Sequence, residues 1–218
     1  MSPPVPDLRL YLVTDVDCCG DRGVYETVRS AVAGGVTTVQ LRDHRATTRE
    51  LYDAAVELRE LLVGSAATFV VDDRLDVALA AGAGGVHLGQ SDLPVERARA
   101  VGGPDIVIGL SVTNREQAER AGELPIGTVD YLGVGPVFPT ATKLDAAPPI
   151  GLDGLAAICA ASPLPCVAIG GIGEAQVDEV ISAGAVGVAV VSALCASSDP
   201  ERAAQALRGR VERGRVGR

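Results

Sequence analysis

Residues 30–42 read SAVAGGVTTVQLR, and the same design returns as ALAAGAGGVHLGQ at 78–90 and VISAGAVGVAVVS at 180–192. Each copy runs from an alanine-rich helical tail through an Ala-Gly break into a short β-branched strand. A glycine after a helix suits the left-handed closing residue, and a near-continuous apolar strand suits a parallel sheet covered on both faces. The three copies are αβ joints, so the chain is assembled from repeated βα units.

Working outward from these joints places strands near 8–13, 36–41, 67–71, 85–88, 106–110, 130–134, 165–169 and 186–191. Helices fall between them, near 23–33, 47–62, 73–81, 94–101, 114–121, 151–161, 174–183 and 199–212. Eight alternations in 218 residues leave about 27 residues per unit, which suits a closed (β/α)8 TIM barrel without large insertions. The alternative is an open doubly wound sheet, with one crevice where the strand order reverses. We expect the ring, as a single compact α/β domain over 1–218 with short tails at both ends. Helix starts agree with this parse. Thr47 or Thr48 precedes RELYDAAVELRELL, Asp153 precedes GLAAICA, and Asp199-Pro200-Glu201 sets a cap before a proline at the first helical position.

Composition narrows the function. Apolar residues make up 47 % and charged residues 22 %, whereas aromatics are only 3 %. A net charge of −9 and few rings argue against a nucleic-acid surface, which needs many Lys and Arg contacts to phosphate and aromatic platforms for bases. The same charge argues against an anionic membrane face, and no run is apolar enough to span a bilayer. A local phosphate pocket remains compatible. Of the 19 basic residues 18 are Arg, and Lys143 is the one lysine. Five cysteines without CxxC spacing read as reduced and mostly buried, and Met-Ser-Pro-Pro lacks the features of a signal peptide, so a cytoplasmic setting is expected. The sequence leaves a homo-oligomer open.

In a closed barrel the chemistry collects at the C-terminal ends of the strands. The polar residues expected there are Gln40, Arg42 and His44 after strand 2; Asp72, Asp73 and Arg74 after strand 3; Gln90 and Asp92 after strand 4; and Ser111 after strand 5. Strand 6 leads into GPVFPTATK with Thr140, Thr142 and Lys143, strand 7 into GGIG at 170–173, and strand 8 into Ser192. Carboxylates from adjacent strands can share a hard cation, because Mg2+ takes oxygen ligands and commonly binds through one or two carboxylates plus substrate phosphate. Asp73 and Asp92 are the expected pair. Arg42, Lys143, Ser111, Thr140 and Thr142 add donors for phosphate oxygens, so a Mg2+-held diphosphate is the natural guest. A second phosphate is expected around Gly170, Gly171, Val191 and Ser192, since loops after strands 7 and 8 bind phosphate recurrently in such barrels. The partners implied are small phosphorylated molecules.

Each feature also has a plainer reading. VDDR can be a helix cap with Arg74 as a surface ion partner, and GGIG can be a tight βα turn. His87, inside a strand, reads as a satisfied core histidine; His44 and Arg45 can be exposed loop, and the Arg-rich end from Arg208 onward a fraying helix. The joint pattern is harder to dismiss than any one member.

VQLRDH, VVDDRLDVALAAGAGGVHLGQSDLP, IGLS, GVGPVFPTATK, AIGGI and GVAVVSAL follow one another in an order and spacing that resemble thiamine-phosphate synthases, over about residues 10–194. The resemblance implies a transferase that joins hydroxymethylpyrimidine diphosphate to thiazole phosphate, giving thiamine phosphate and diphosphate. It implies that Gln40 and Arg42 contact the pyrimidine substrate and its diphosphate, that Asp73 and Asp92 hold Mg2+, and that Ser111 and Lys143 bind the departing diphosphate. Thr140 and Thr142 would line the phosphate region, and Gly171 with the Val191-Ser192 backbone would receive the thiazole phosphate. The implied mechanism is dissociative, with C–O cleavage preceding capture by the thiazole nitrogen.

Two positions depart from the family pattern. His44 stands where QLR(E/D)K has lysine, and Asp72 where NDR has asparagine. We expect Asp72 to join the metal site or draw a second Mg2+, and His44 to hydrogen-bond substrate. A thiazole tautomerase of the same superfamily is the nearest rival; it uses a His after strand 5, where this chain has Thr113. A catalytically silent barrel that binds thiamine precursors is the other. The stretch 141–149 is the expected lid.

Overall fold

The computed structural model describes residues 6–140, 142 and 147–216. Eight parallel strands, β1 Leu10–Val13, β2 Thr38–Leu41, β3 Thr68–Asp72, β4 Gly85–Leu88, β5 Val107–Val112, β6 Tyr131–Val134, β7 Cys166–Ile169 and β8 Gly187–Val190, form a ring in chain order. Pairing of Tyr11 with Ala189 closes β1 onto β8, which excludes the open sheet. Each strand expected from the sequence is present. Glycines at the three repeated joints take the left-handed conformation they were read to need, Gly35 at φ 102°, Gly82 at 69° and Gly184 at 120°.

The helices are α1 Val16–Cys19, α2 Gly23–Ala33, α3 Thr48–Leu61, α4 Leu75–Ala81, α5 Val95–Gly102, α6 Arg115–Glu123, α7 Gly151–Ala161, α8 Val177–Ser182, α9 Ser192–Cys195 and α10 Pro200–Val216. Thr47 caps α3 in a reciprocal box: its hydroxyl accepts from Glu50 N at 3.3 Å while Glu50 Oε2 accepts from Thr47 N at 2.8 Å. Such a cap contributes about 1 kcal/mol. Asp199 caps α10, accepting from Arg202 N at 3.0 Å. Asp153 does not cap α7, which begins earlier, at Gly151. There the entering backbone is tied to the segment after β6, Ile150 N donating to Pro136 O and Gly151 N to Val137 O.

Alternating side chains divide the interior in two. Leu10, Leu12, Val39, Val71, Ile108 and Leu132 pack outward against the helices in the main core. Truncating one such leucine to alanine costs about 2–5 kcal/mol. Tyr11, Val13, Val107, Tyr131, Val167 and Ala189 fill the barrel itself. Two glycines make room for rings there: a Cβ at Gly109 would lie 2.2 Å from Tyr131 Cζ and 2.4 Å from His87 Nδ1, and one at Gly133 would lie 2.8 Å from His87 Cε1. Because all strands run the same way, their C-terminal ends share one rim. No helix among the described residues is long and apolar enough to cross a membrane, and the cysteines are free thiols, Cys19, Cys166 and Cys195 buried.

Candidate active site

At the ends of β1, β2 and β3 an arginine is held among acids. Arg42 N donates to Thr14 Oγ1 at 3.0 Å, which fixes the backbone just past β2. The guanidinium sits between Asp15, with Nη1 3.7 Å from Oδ2, and Asp72, with Nε 3.6 Å from Oδ2. Gln40, buried at the end of β2, donates through Nε2 to Asp72 Oδ1. His44 completes the group, Nε2 lying 3.3 Å from Asp72 Oδ2 and Nδ1 3.7 Å from Asp73 Oδ2. The hydrogen bond to Asp72 holds the imidazolium above its usual range, against burial and the neighbouring Arg42.

Asp73 is the one non-glycine residue with positive φ among those described, at 57°, a conformation Asp tolerates better than most. Its N–H donates to His87 O at 2.8 Å, which anchors it past the end of β3. Burial lifts its carboxyl to about 7, and the charges of Asp72 and Asp92 and a hydrogen bond with Asp92 push the same way. Asp92 is itself aimed by Gly89 N, which donates to Oδ2 at 2.6 Å. Carboxyls from adjacent strand ends offer the all-oxygen ligands that suit the hard Mg2+ ion. His44, Asp72 and Asp73 also bring three ligand atoms within 4.8 Å of one another, so Asp72 is near enough to join a metal site there.

Ser111 sits at the end of β5. Gln90 Nε2 donates to its carbonyl at 2.7 Å, and its hydroxyl lies 2.9 Å from His87 Nε2. Register places His87 beside Asp72 in neighbouring strands, which links the two groups across β3 and β4.

The remaining rim comes from the last three strands. After β6, Thr142 N donates to Thr140 Oγ1 at 3.3 Å. Gly170 O accepts from Phe138 N at 3.0 Å, so the turns after β6 and β7 are stitched together. Gly171 has φ 64°, and a Cβ there would lie 2.5 Å from Pro139 O. Val191 precedes α9, which begins at Ser192. Lys143 lies outside the described residues, as does most of the expected lid.

Sequence reasoning missed Asp15, although the strand-end rule applied to strand 1 would have found it in the polar Thr14-Asp15 pair after LYLV. It also passed over Tyr11 and Tyr131, whose only signal is an aromatic at an inward position of a barrel strand. His87 is buried and hydrogen-bonded as expected, yet it reaches a site residue.

The chain matches the family described as thiamine monophosphate synthase over residues 10–194. It is 52 % identical over 205 residues to the thiamine-phosphate synthase of Albidiferax ferrireducens, covering 94 % of this chain and 92 % of that one. The thiamine-phosphate synthase of a Psychrobacter species is 48 % identical over 92 % of this chain and 93 % of its own. Among solved structures, the thiamine phosphate pyrophosphorylase of Pyrococcus furiosus superposes with a TM-score of 0.85 at 41 % identity, covering 96 % of this chain and 98 % of that one. A 3-hexulose-6-phosphate synthase, at 19 % identity and a TM-score of 0.66 over 93 % of this chain and 99 % of its own, shares the fold. With this coverage and identity, the chain belongs to the thiamine monophosphate synthase family.

Proposed function

We propose that this chain couples hydroxymethylpyrimidine diphosphate to thiazole phosphate, releasing diphosphate and forming thiamine phosphate. The observation that carries the reading is the strand-end cluster of Arg42, His44, Asp72 and Asp73, whose His and carboxylate ligand atoms lie within 4.8 Å of one another. Asp73 and Asp92 would hold Mg2+, and the chemistry supplied there is neutralisation of charge on the leaving diphosphate. Asp72 is positioned to add an oxygen ligand. Arg42 swings from Asp15 and Asp72 to the diphosphate, and Ser111 and Lys143 donate to its other oxygens. These donors act most strongly as the C–O bond breaks, because the bonding pair departs with the diphosphate and charge grows on the bridging oxygen.

Gln40 spends its amide N–H on Asp72, which leaves its carbonyl oxygen to accept from the pyrimidine's exocyclic amine. His44 donates to the substrate diphosphate from the edge of the site. Thr140 and Thr142 line the phosphate region, and Gly170, Gly171, Val191 and Ser192 receive the thiazole phosphate through backbone N–H groups. The thiazole nitrogen then captures the pyrimidinylmethyl cation, so no protein nucleophile is required. At the tautomerase's proton-carrier position, Thr113 donates to Gln117 Oε1 through both its backbone N–H, at 2.7 Å, and its hydroxyl, at 3.1 Å. That engagement favours the synthase. A cytosolic setting completes the proposal, in keeping with five free thiols.

Incubation of the purified protein with both substrates and Mg2+ should yield thiamine phosphate and diphosphate in equal amounts, and chelation should abolish the yield. Turnover of the carboxythiazole without coupling would point to the tautomerase. Binding of either substrate without any product would point to the silent barrel.

A further inference from the structure

Four side chains on four strands form one hydrogen-bonded line through the barrel. Tyr11 OH lies 2.8 Å from Tyr131 OH, Tyr131 OH lies 3.0 Å from His87 Nδ1, and His87 Nε2 lies 2.9 Å from Ser111 Oγ. Tyr11, Tyr131 and His87 are 1 %, 0 % and 8 % exposed, so water does not compete for most of the line. Its far end is deep in the barrel, and its near end is the hydroxyl read above as a diphosphate donor.

The protons can be arranged in two ways when the imidazole is neutral. In one, Tyr11 donates to Tyr131, Tyr131 donates to Nδ1, and Nε2–H donates to Ser111 Oγ, which leaves the Ser111 proton free to point into the mouth. In the other, Ser111 donates inward to Nε2, Nδ1–H donates to Tyr131, and Tyr131 donates to Tyr11. With Nδ1 protonated, one buried phenol O–H is left without an acceptor among these groups, that of Tyr11 or, if Tyr131 accepts from both sides, that of Tyr131 itself. An orphaned buried donor disfavours that arrangement by roughly tenfold or more.

We infer that Tyr11 and Tyr131, acting through a His87 protonated on Nε2, are positioning residues that turn Ser111 into an obligate hydrogen-bond donor toward an anion in the mouth. An acceptor-only Ser111 would repel a diphosphate oxygen; a donor attracts it. Gln90 pins the Ser111 backbone through its carbonyl, so the line sets only the direction of the hydroxyl proton. The consequence for binding rests on the proposed role of Ser111, whereas the direction of the line does not.

With two histidines in the chain, nitrogen-15 spectra of the imidazoles resolve the tautomer directly. His87 should show a protonated Nε2 and a bare Nδ1 in the native protein, and Tyr131→Phe, which removes the donor to Nδ1, should shift protonation toward Nδ1. Calorimetry with Mg2+ and diphosphate should show Tyr11→Phe and Tyr131→Phe weakening binding by about tenfold. Neither substitution should weaken it further in a Ser111→Ala background. A native His87 protonated on Nδ1, or on both nitrogens, overturns the inference. So does an equal loss from the tyrosine variants with and without Ser111, the signature of a merely structural role. If Ser111→Ala binds diphosphate as the native chain does, the reading of Ser111 as an anion donor fails, and the direction of the line stands or falls on the tautomer alone.

Discussion

His44 Nε2 lies 3.3 Å from Asp72 Oδ2, so the two positions read from the resemblance as departures touch one another. Where the resemblance implies lysine and asparagine, this chain carries a weaker base and a carboxylate that pair, and the carboxylate also braces Arg42 and Gln40. The substitutions therefore behave as one unit. Separate reversion, His44→Lys or Asp72→Asn, should change diphosphate affinity non-additively, with a coupling of about 0.5–1 kcal/mol in a double-mutant cycle, given that His44 is half exposed. Additive effects would show that the contact carries no energy. Equal metal-free diphosphate binding by the native and doubly reverted proteins would remove any electrostatic role for the exchange.

The Arg42 guanidinium is placed between the carboxylates of Asp15 and Asp72. Arg42→Ala should lower kcat/KM by about 100-fold or more, in the range seen when a preorganised transition-state donor is deleted. Arg42→Lys should recover only part of this, since an ammonium lacks the planar fork. Steady-state kinetics with the pyrimidine diphosphate varied would read both.

Asp73 gives the metal-free protein a pH signature. Its carboxyl is lifted by burial from 3.8 to about 7, so the stability it contributes is whole below 3.8 and is lost as pH rises through about 7. Bound Mg2+ requires the ionised form. Metal affinity should thus increase from pH 6 to pH 8, with proton release at the lower pH, and Mg2+ should raise Tm more at the higher pH. Asp73→Asn should flatten both trends without unfolding the chain, because Asn tolerates a φ of 57°.

Gly171 combines a φ of 64° with backbone 2.5 Å from where a Cβ would sit. Gly171→Ala should cost about 1–3 kcal/mol in chemical denaturation and should raise KM for the thiazole phosphate more than for the pyrimidine diphosphate.

Most of the barrel was legible because the αβ joints repeat: an Ala-rich tail, a left-handed glycine and an apolar strand need no long-range information to be recognised. Four-residue elements such as α1 and α9 carry too little periodicity to be seen. Asp72, Asp73, Asp92 and Arg42 were legible as polar strand ends, whereas Asp15 after β1 was passed over. His87 was not legible as a site contact, since its ring reaches Ser111 only through the closure of β4 against β5. The start of α7 at Gly151 was legible but Asp153 was misread as its cap, because the entering backbone is held by hydrogen bonds to a distant segment, which local capping chemistry does not encode.

The most direct measurement is a calorimetric titration of diphosphate, with and without Mg2+, into the native protein and into an Asp73→Asn, Asp92→Asn double variant. The native chain should bind tightly only with the metal, and the variant should bind weakly and equally in both conditions. Native binding that is indifferent to Mg2+ would contradict a shared metal–diphosphate site at this rim.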